Sequence, residues 1–508
     1  MRFVLRHSGI LLLEALAGLL ALAILAGGIL AILLKDQAPL QLGFLTPYLE
    51  RSLNEIDPNI KVKIAETLLT WSGWERPLDL RVRNVQISDA AGHSLANLPD
   101  LSVELSVPAL LVGDIAPGAI DVVAPRLVVV RTEDGRMQLG FGQSEQEVKQ
   151  PLTPDLAAVL LQPARGPGHL RRIMIQQASV IVIDRRAGEV WRLPGVNFEL
   201  RRSRFGAKAA VNATLLQKTG TAFLNAQLSV PAGEDPAAVN VEVAGLDPRT
   251  LAVLTKIPEI ERLRLTVGGA LAALVARSGQ VEELKFSLAA GPGAIELPDI
   301  YTDPLPVAGA NLRGRFFDGF NQLELDGASL TVTDGPTVTV SGVAKGLSSN
   351  SIQLQAHVGS GPITTDTLLH YWPAAFAHNA RNWISHNITG GQAHQGEADL
   401  ALTVPRDDPT HAVLEHAEGT FRASGLTVNY VDGLPPLQDV AGEGKFAENK
   451  LVLNVNAGHV GKLVLTGGTV EVAGLDTEPQ IVTIDGNVTG PVRDGLVLID
   501  YDRLRSFS

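Results

Sequence analysis

Cysteine is absent from the 508-residue sequence, which excludes disulfides, thiolate zinc sites and cysteine nucleophiles. Charge is also scarce: charged residues make up 19% of the chain against 45% hydrophobic ones, a balance that excludes general disorder. The net charge is -12, so the chain lacks the basic field that nucleic-acid-binding proteins normally show. We therefore expect no nucleic-acid partner.

Recognisable catalytic and cofactor motifs are missing as well. His370, His378, His386 and His394 recur every eight residues, but this spacing rotates by about 80° per step on a helix, so it does not build a metal site. The segment 458–462 has the glycines and lysine of a phosphate loop at too short a spacing, and it predicts a hairpin turn instead. We therefore predict no enzyme activity, no catalytic or metal-binding residue and no cofactor.

One long apolar run stands near the N-terminus. Ala15 to Leu34 carries no charge and would span roughly 30 Å as a helix, about the thickness of a bilayer's hydrocarbon core. Arg2 and Arg6 precede it, so the positive-inside rule predicts a cytoplasmic N-terminus and an exported body. The alternative is a signal peptide cleaved near Ala26 or Ala31, although its apolar core is usually only about 7–15 residues long.

Beyond the apolar run, the dominant period is two. Fifty glycines and thirty prolines with only 5% aromatic residues favour many short strands and turns. Apolar and polar residues alternate over segment after segment, as at 284–288, 330–340 and 451–456. This pattern predicts a mainly β protein with an elongated antiparallel sheet, each strand having one apolar and one polar face.

A few helices interrupt the strands. We expect a helix at 45–53 that forms a neck, another at 153–161, one that begins at Asp247-Pro248, and a longer pair from Asp366 to Asn387 broken at Pro373. The predicted segments are an anchor at 1–36, a neck at 37–60, a β region at 61–365, a helical insertion at 366–391 and a second β region at 392–508.

Several motifs resemble the AsmA-like proteins of the YhdP type. They are found at 67–80, 368–373, 380–384, 387–391, 430–436, and 490–492 with 496–500. The motif residues to which we assign a structural role are Tyr371, Trp372, Pro373, Trp383, Gly433, Leu434 and Pro435. Because proteins of this family usually extend well beyond the motif at 490–500, the resemblance implies that this chain is a fragment or a truncated form.

The resemblance implies a protein anchored in the bacterial inner membrane by Ala15–Leu34, with a periplasmic body. It also implies that a curved antiparallel sheet forms a groove, which shields the acyl chains of phospholipids in transit to the outer membrane and to a partner that it does not identify. Each methylene kept from water saves roughly 0.8 kcal/mol. The residues predicted to line the groove are Leu263, Leu265, Val267, Leu284, Phe286, Leu288, Leu330, Val332, Val338, Val340, Leu400, Leu402, Leu451, Leu453 and Val455.

Two other interpretations share the same alternation. A structural or assembly factor for outer-membrane proteins would use exposed strand edges. A compact sandwich of two sheets would fill its interior with side chains. The interior of the sheet distinguishes them, because a filled dry core indicates a sandwich and an open apolar face indicates a lipid path.

Overall fold

The computed structural model describes residues 39–54, 60–70, 79–89, 94–106, 108–109, 113–133, 137–141, 170–255, 258–298, 301–372, 378–407, 411–430, 433–447, 449–474 and 481–499. The predicted anchor at 15–34 and the predicted helix at 153–161 lie outside these ranges. Within them, no helix has both the length and the apolar composition that a bilayer crossing requires. The chain divides into two compact units, 1–237 and 238–508, which are described in turn.

The described residues form 28 strands, which pair mostly in the antiparallel direction, with only a few short helices. The mainly β prediction is therefore confirmed. The first unit contains a 3₁₀ turn (Gly43–Leu45), helix α1 (Thr46–Asn54) and strands β1 (Leu40–Gln41), β2 (Ile60–Thr70), β3 (Asp79–Asp89), β4 (Ser94–Leu105), β5 (Pro117–Val123), β6 (Arg126–Arg131), β7 (Met137–Phe141), β8 (Arg172–Asp184), β9 (Glu189–Ser203), β10 (Gly206–Gln217) and β11 (Gly220–Pro231).

The second unit follows from strand β12 (Ala237–Leu246), whose first residue still belongs to the first unit. Its helices are α2 (Pro248–Thr255), a 3₁₀ turn (Pro258–Arg262), α3 (Thr365–Tyr371), α4 (His378–Asn387) and α5 (Val492–Ile499). Its further strands are β13 (Leu263–Arg264), β14 (Val267–Val275), β15 (Val281–Ala290), β16 (Gly293–Ile295), β17 (Leu305–Phe317), β18 (Gln322–Val332), β19 (Thr337–Lys345), β20 (Ser351–Ser360), β21 (Ile363–Thr364), β22 (Ile388–Thr389), β23 (Gln392–Pro405), β24 (Val413–Val428), β25 (Leu437–Ala447), β26 (Lys450–Val460), β27 (Leu463–Ala473) and β28 (Ile481–Thr489).

Helix α1 packs onto the first strands of the sheet. Leu49 is fully buried in the core that α1 shares with β2, β3 and β4. Two polar side chains of the helix bind the edge of β2: Glu50 Oε1 accepts a hydrogen bond from the Ile64 N–H at 2.7 Å, and Asn54 Oδ1 accepts one from the Val62 N–H at 2.5 Å. The helix predicted at 45–53 is therefore present, and it covers backbone donors that an edge strand would otherwise expose.

Strand β8 departs from the predicted antiparallel pattern. Strands β5 and β6 both pair with it in parallel, one after the other along its length. Ala124 separates these two short strands and has a positive φ of 50°, which turns the chain between them. The antiparallel prediction is wrong for these pairs because a strand's composition does not reveal the direction of its neighbour.

Two local predictions in the second unit have different outcomes. Asp247 is the N-cap of α2, since its Oδ1 accepts a hydrogen bond from the Arg249 N–H at 3.0 Å, as the Asp-Pro pair predicts. Leu263, Leu265 and Val267, all predicted to line the groove, do not lie on one strand, because β13 ends at Arg264 and β14 begins at Val267. Leu265 and Thr266 lie between the two strands.

Candidate functional site

The second unit presents a continuous apolar row across eleven strands. Residues that lie directly opposite each other in antiparallel pairs share a face, so a chain of pairings defines a row. From β14 to β27 this row consists of Gly269, Leu288, Leu312, Ala328, Val340, Val358, Ala398, Gly419, Phe446, Leu451 and Val472. At a strand spacing of about 4.8 Å its contour length is roughly 50 Å.

Three further rows lie on the same face. One row consists of Val267, Ala290, Ala310, Leu330, Val338, Ser360, Gly396, Phe421, Gly444, Leu453, Val470 and Ile484. The others consist of Leu271, Phe286, Gly314, Leu325, Gly342, Ala356, Leu400 and Ala417, and of Ala273, Leu284, Phe316, Leu323, Ala344, Leu354, Leu402 and Leu414. We call these four rows the apolar face; Ser360 is their single polar residue.

Most of the residues predicted to line a groove belong to the apolar face. Those in its rows are Val267, Leu284, Phe286, Leu288, Leu330, Val338, Val340, Leu400, Leu402, Leu451 and Leu453. Val332 lies opposite Val307, and Val455 lies opposite Gly442, each two residues beyond a row member on its own strand. Leu263 lies in β13 opposite Ile295, whereas Leu265 belongs to no strand.

The apolar face is neither fully buried nor fully exposed. Phe286 is 8% exposed, while Leu312, in the interior of β17, is 38% exposed. Val340, Leu400 and most other members are half-buried. A closed sandwich core would bury a leucine in the interior of a paired strand, so the face is accessible at Leu312.

The opposite face of the same strands is polar. Cross-strand ion pairs join Arg315 to Glu324 at 2.6 Å and Arg422 to Glu443 at 2.9 Å. The hydrogen bond that Arg315 donates to Glu324 raises the pKa of Arg315. A depression of about 870 Å³ lies among β12–β20, and its lining combines polar residues such as Asn311, Arg313 and His357 with Leu288, Leu312 and Val340 of the apolar face.

Aromatic rings cover glycines on neighbouring strands of the apolar face. Phe286 lies opposite Gly314, and its Cζ is 2.9 Å from the place that a Cβ at position 314 would take. Phe446 covers Gly419 in the same manner, and its Cζ is 2.5 Å from the place that a Cβ at position 419 would take. Bulky side chains thus fill space directly above the backbone of the neighbouring strand.

Helices α3 and α4 are fixed at one end of the strands by two residues that the sequence analysis did not single out. The Tyr301 hydroxyl donates to the Tyr371 carbonyl at 2.6 Å, and burial raises the pKa of Tyr301. Arg381 of α4 donates from Nε to the Trp372 carbonyl at 3.0 Å and from Nη2 to the Leu369 carbonyl at 3.2 Å. Arg381 therefore satisfies carbonyls at the C-terminal end of α3.

The other motif residues lie in separate places. Trp383 is 40% exposed on α4, and Leu434 and Pro435 are half-buried between β24 and β25. Gly433 has a φ of 89°, a conformation that favours glycine. Pro373 lies outside the described residues. The structural role predicted for these motif residues remains a prediction.

The recurring histidines and the glycine-rich segment lie in separate parts of the second unit. His378 contacts Asn382 at 2.8 Å, whereas His394 contacts Ser424 of β24 at 2.6 Å. In the described part of the chain, no group of three histidine or acidic side chains is arranged to hold a metal ion. Gly461 and Lys462 form the turn between β26 and β27, as predicted for the 458–462 segment.

The first unit has an apolar face of its own on strands β8–β11. Cross-strand register places on one side Ile173, Ile175, Phe198, Leu200, Ala207, Ala209, Val211, Ala213, Leu215, Ala222, Leu224, Ala226, Leu228 and Val230. The alternation that produces a long apolar face is therefore a property of both units.

The fold and the apolar face define a class of β-rich protein that presents a long apolar sheet surface. Residues 270–506 match the model of the family described as YhdP protein, so the resemblance predicted from the motifs is confirmed over this range. The matched range contains β15–β28 and most of the apolar face, and the family suggests a bacterial cell-envelope protein. No curated protein and no solved structure matches the chain significantly.

Proposed function

We propose that the apolar face shields phospholipid acyl chains, and that the protein thereby supports phospholipid transport toward the outer membrane from an anchor in the inner membrane. The observation that carries this proposal is the uninterrupted row from Gly269 to Val472. Its contour of roughly 50 Å exceeds the apolar thickness of one bilayer leaflet, about half of 30 Å. A lipid on this face would therefore move along it, or several lipids would bind in series.

The apolar face and its solvent-exposed margin suit the two parts of a phospholipid. Acyl chains gain roughly 0.8 kcal/mol for each methylene that leaves water, and the partly exposed Leu271 and Leu312 offer such a surface. A charged headgroup is costly to bury without a partner, and it would remain at the margin of the face in solvent. The proposal requires neither a reaction nor a cofactor.

The alternative is an assembly factor for outer-membrane proteins with a filled sandwich. Exposure of Leu312 at 38% in the interior of β17 supports an open surface over a filled core. A charged substitution on this face distinguishes the two proposals, because an open face tolerates the charge and a filled sandwich core does not.

The test places a charge in the middle of the row. Val340→Asp should leave the sheet folded, as seen by circular dichroism, but should abolish lipid crosslinking from a photoreactive residue at position 312. Leu312 and Val340 belong to one row, and Leu312 is better placed for the probe than the buried Val332. An ion in the path of acyl chains costs several kcal/mol.

The matched control is Thr339→Asp, because Thr339 is exposed on the polar face one residue away. It should leave both the fold and the crosslinking unchanged. An unfolded Val340→Asp variant would favour the filled sandwich, and a folded variant that still crosslinks lipid would remove this part of the face from the lipid path.

A further inference from the structure

The turn between β9 and β10 exposes an aromatic ring beside cations. Ser203 pairs with Gly206, so Arg204 and Phe205 form a two-residue turn. Phe205 is 72% exposed, and the Arg204 guanidinium carbon lies 4.7 Å from its ring centroid. The Phe205 backbone is held at both ends, since its N–H donates to Ser203 Oγ at 3.1 Å and its carbonyl accepts from the Ala232 N–H at 2.8 Å.

Three cations lie in register on one face of the adjoining strands. Arg172 is opposite Arg201, and Arg201 is opposite Lys208. Like charges placed directly opposite each other destabilise a sheet. Glu104 binds Arg172 at 2.8 Å and Glu199 binds Arg201 at 2.5 Å. Among the described residues, Lys208 has no such carboxylate partner.

We propose that this turn is a docking point for the surface of an anionic lipid bilayer. Phe205 would enter the boundary between headgroups and acyl chains, as apolar side chains of peripheral membrane segments do. Arg204 and Lys208 would bind lipid phosphates, for which the arginine fork is well suited. Lys208 lies two residues from Gly206 along β10, roughly 7 Å, so both cations reach the same headgroup layer. This inference does not depend on a lipid path over the apolar face of the second unit.

The partner is a bilayer because the ring and the cations occur together. Cations alone would suit any anionic macromolecule, but an exposed Phe205 gains only where an apolar medium adjoins the anions. Glu234 and Asp235 follow Ala232 on the neighbouring connection and oppose the attraction. Removing these two negative charges should therefore strengthen binding to the bilayer, whereas removing a cation should weaken it.

The experiment uses the full chain, which has no cysteine of its own. Phe205→Cys, labelled with an apolar environment-sensitive dye, is reconstituted in vesicles of phosphatidylcholine with or without phosphatidylglycerol. The emission maximum of the dye should shift to shorter wavelength only in the vesicles that contain phosphatidylglycerol, and added salt should reverse this shift. The matched control is Thr219→Cys, labelled in the same way, on the exposed turn between β10 and β11. The emission maximum of the dye at position 219 should be the same in both kinds of vesicle.

Charge variants of the labelled protein complete the test. Arg204→Gln should weaken the response about five-fold, the factor expected for one cation at an anionic surface. Glu234→Gln combined with Asp235→Asn should strengthen it. An absent shift, an equal shift in pure phosphatidylcholine, or an equal shift at position 219 would overturn the proposal. Circular dichroism verifies that each variant is folded.

Discussion

Phe286 lies over Gly314, its partner on β17, with Cζ 2.9 Å from the place that a Cβ would occupy. The backbone carbonyl of Glu324 crowds the same place. Gly314→Ala should therefore lower the free energy of unfolding by about 1–3 kcal/mol, as overpacking does. Chemical denaturation measures this change.

The control is Gly327→Ala in β18, because a Cβ there meets nothing within 4 Å. This substitution should be neutral or stabilise by up to about 1 kcal/mol. Equal effects at the two positions would show that ring coverage does not matter.

Tyr301→Phe tests the hydrogen bond that holds the end of α3. Loss of the 2.6 Å bond to the Tyr371 carbonyl should cost about 0.5–1.5 kcal/mol at neutral pH. Tyr48→Phe is the control, because Tyr48 is an exposed tyrosine of α1. It should change stability little.

Alkaline titration gives a second measurement on Tyr301. Burial raises the pKa of its hydroxyl above the model-compound value of 10.0, so the folded state holds this proton more tightly than the unfolded state. Its contribution is present below pH 10 and is lost as the pH rises through the folded pKa. The stability difference between the wild type and Tyr301→Phe should therefore shrink above pH 10. A difference that grows with pH would contradict this assignment.

Arg381→Lys should destabilise the α3–α4 pair although the charge is kept. The guanidinium reaches two carbonyls at once, those of Leu369 and Trp372, whereas an ammonium lacks the planar fork. We expect a loss of about 1.5–3 kcal/mol, close to that of Arg381→Ala. Amide hydrogen exchange in α3 measures it, and full protection in the lysine variant would show that charge alone suffices.

Trp383→Ala should cost less than a core substitution. A tryptophan buried in packed protein loses roughly 3–5 kcal/mol on truncation, but this ring is 40% exposed. Phe286→Ala, at a position that is 8% exposed, is the comparison and should show the full loss. Equal losses in denaturant unfolding would indicate that Trp383 packs more tightly than its exposure suggests.

The faces of individual hairpins could be predicted from the sequence. Alternation around Asp334-Gly335 places Leu330 and Val338 on one face, and the structure pairs them directly. The alternating threonines share the other face, where the Thr331 and Thr337 hydroxyls are 3.0 Å apart. A period of two is sufficient here because a tight turn fixes the register.

Relationships between distant segments could not be predicted. Strand β15 pairs with β17 as well as β14, which brings Phe286 to Gly314, and no local pattern specifies that choice. The bond between Tyr301 and Tyr371 joins residues 70 positions apart. The parallel pairing of β6 with β8 could not be predicted either, because parallel and antiparallel strands favour the same β-branched residues.

The attachment of α1 to β2 also protects an edge of the sheet from self-association. An exposed strand edge is a template on which further chains can polymerise, but the Val62 and Ile64 donors are already bound by Asn54 and Glu50. Strand β1 occupies the remaining edge of β2 at Leu68 and Leu69. Growth of fibres from this edge of β2 would first require α1 to detach, so the helix blocks self-assembly at this edge.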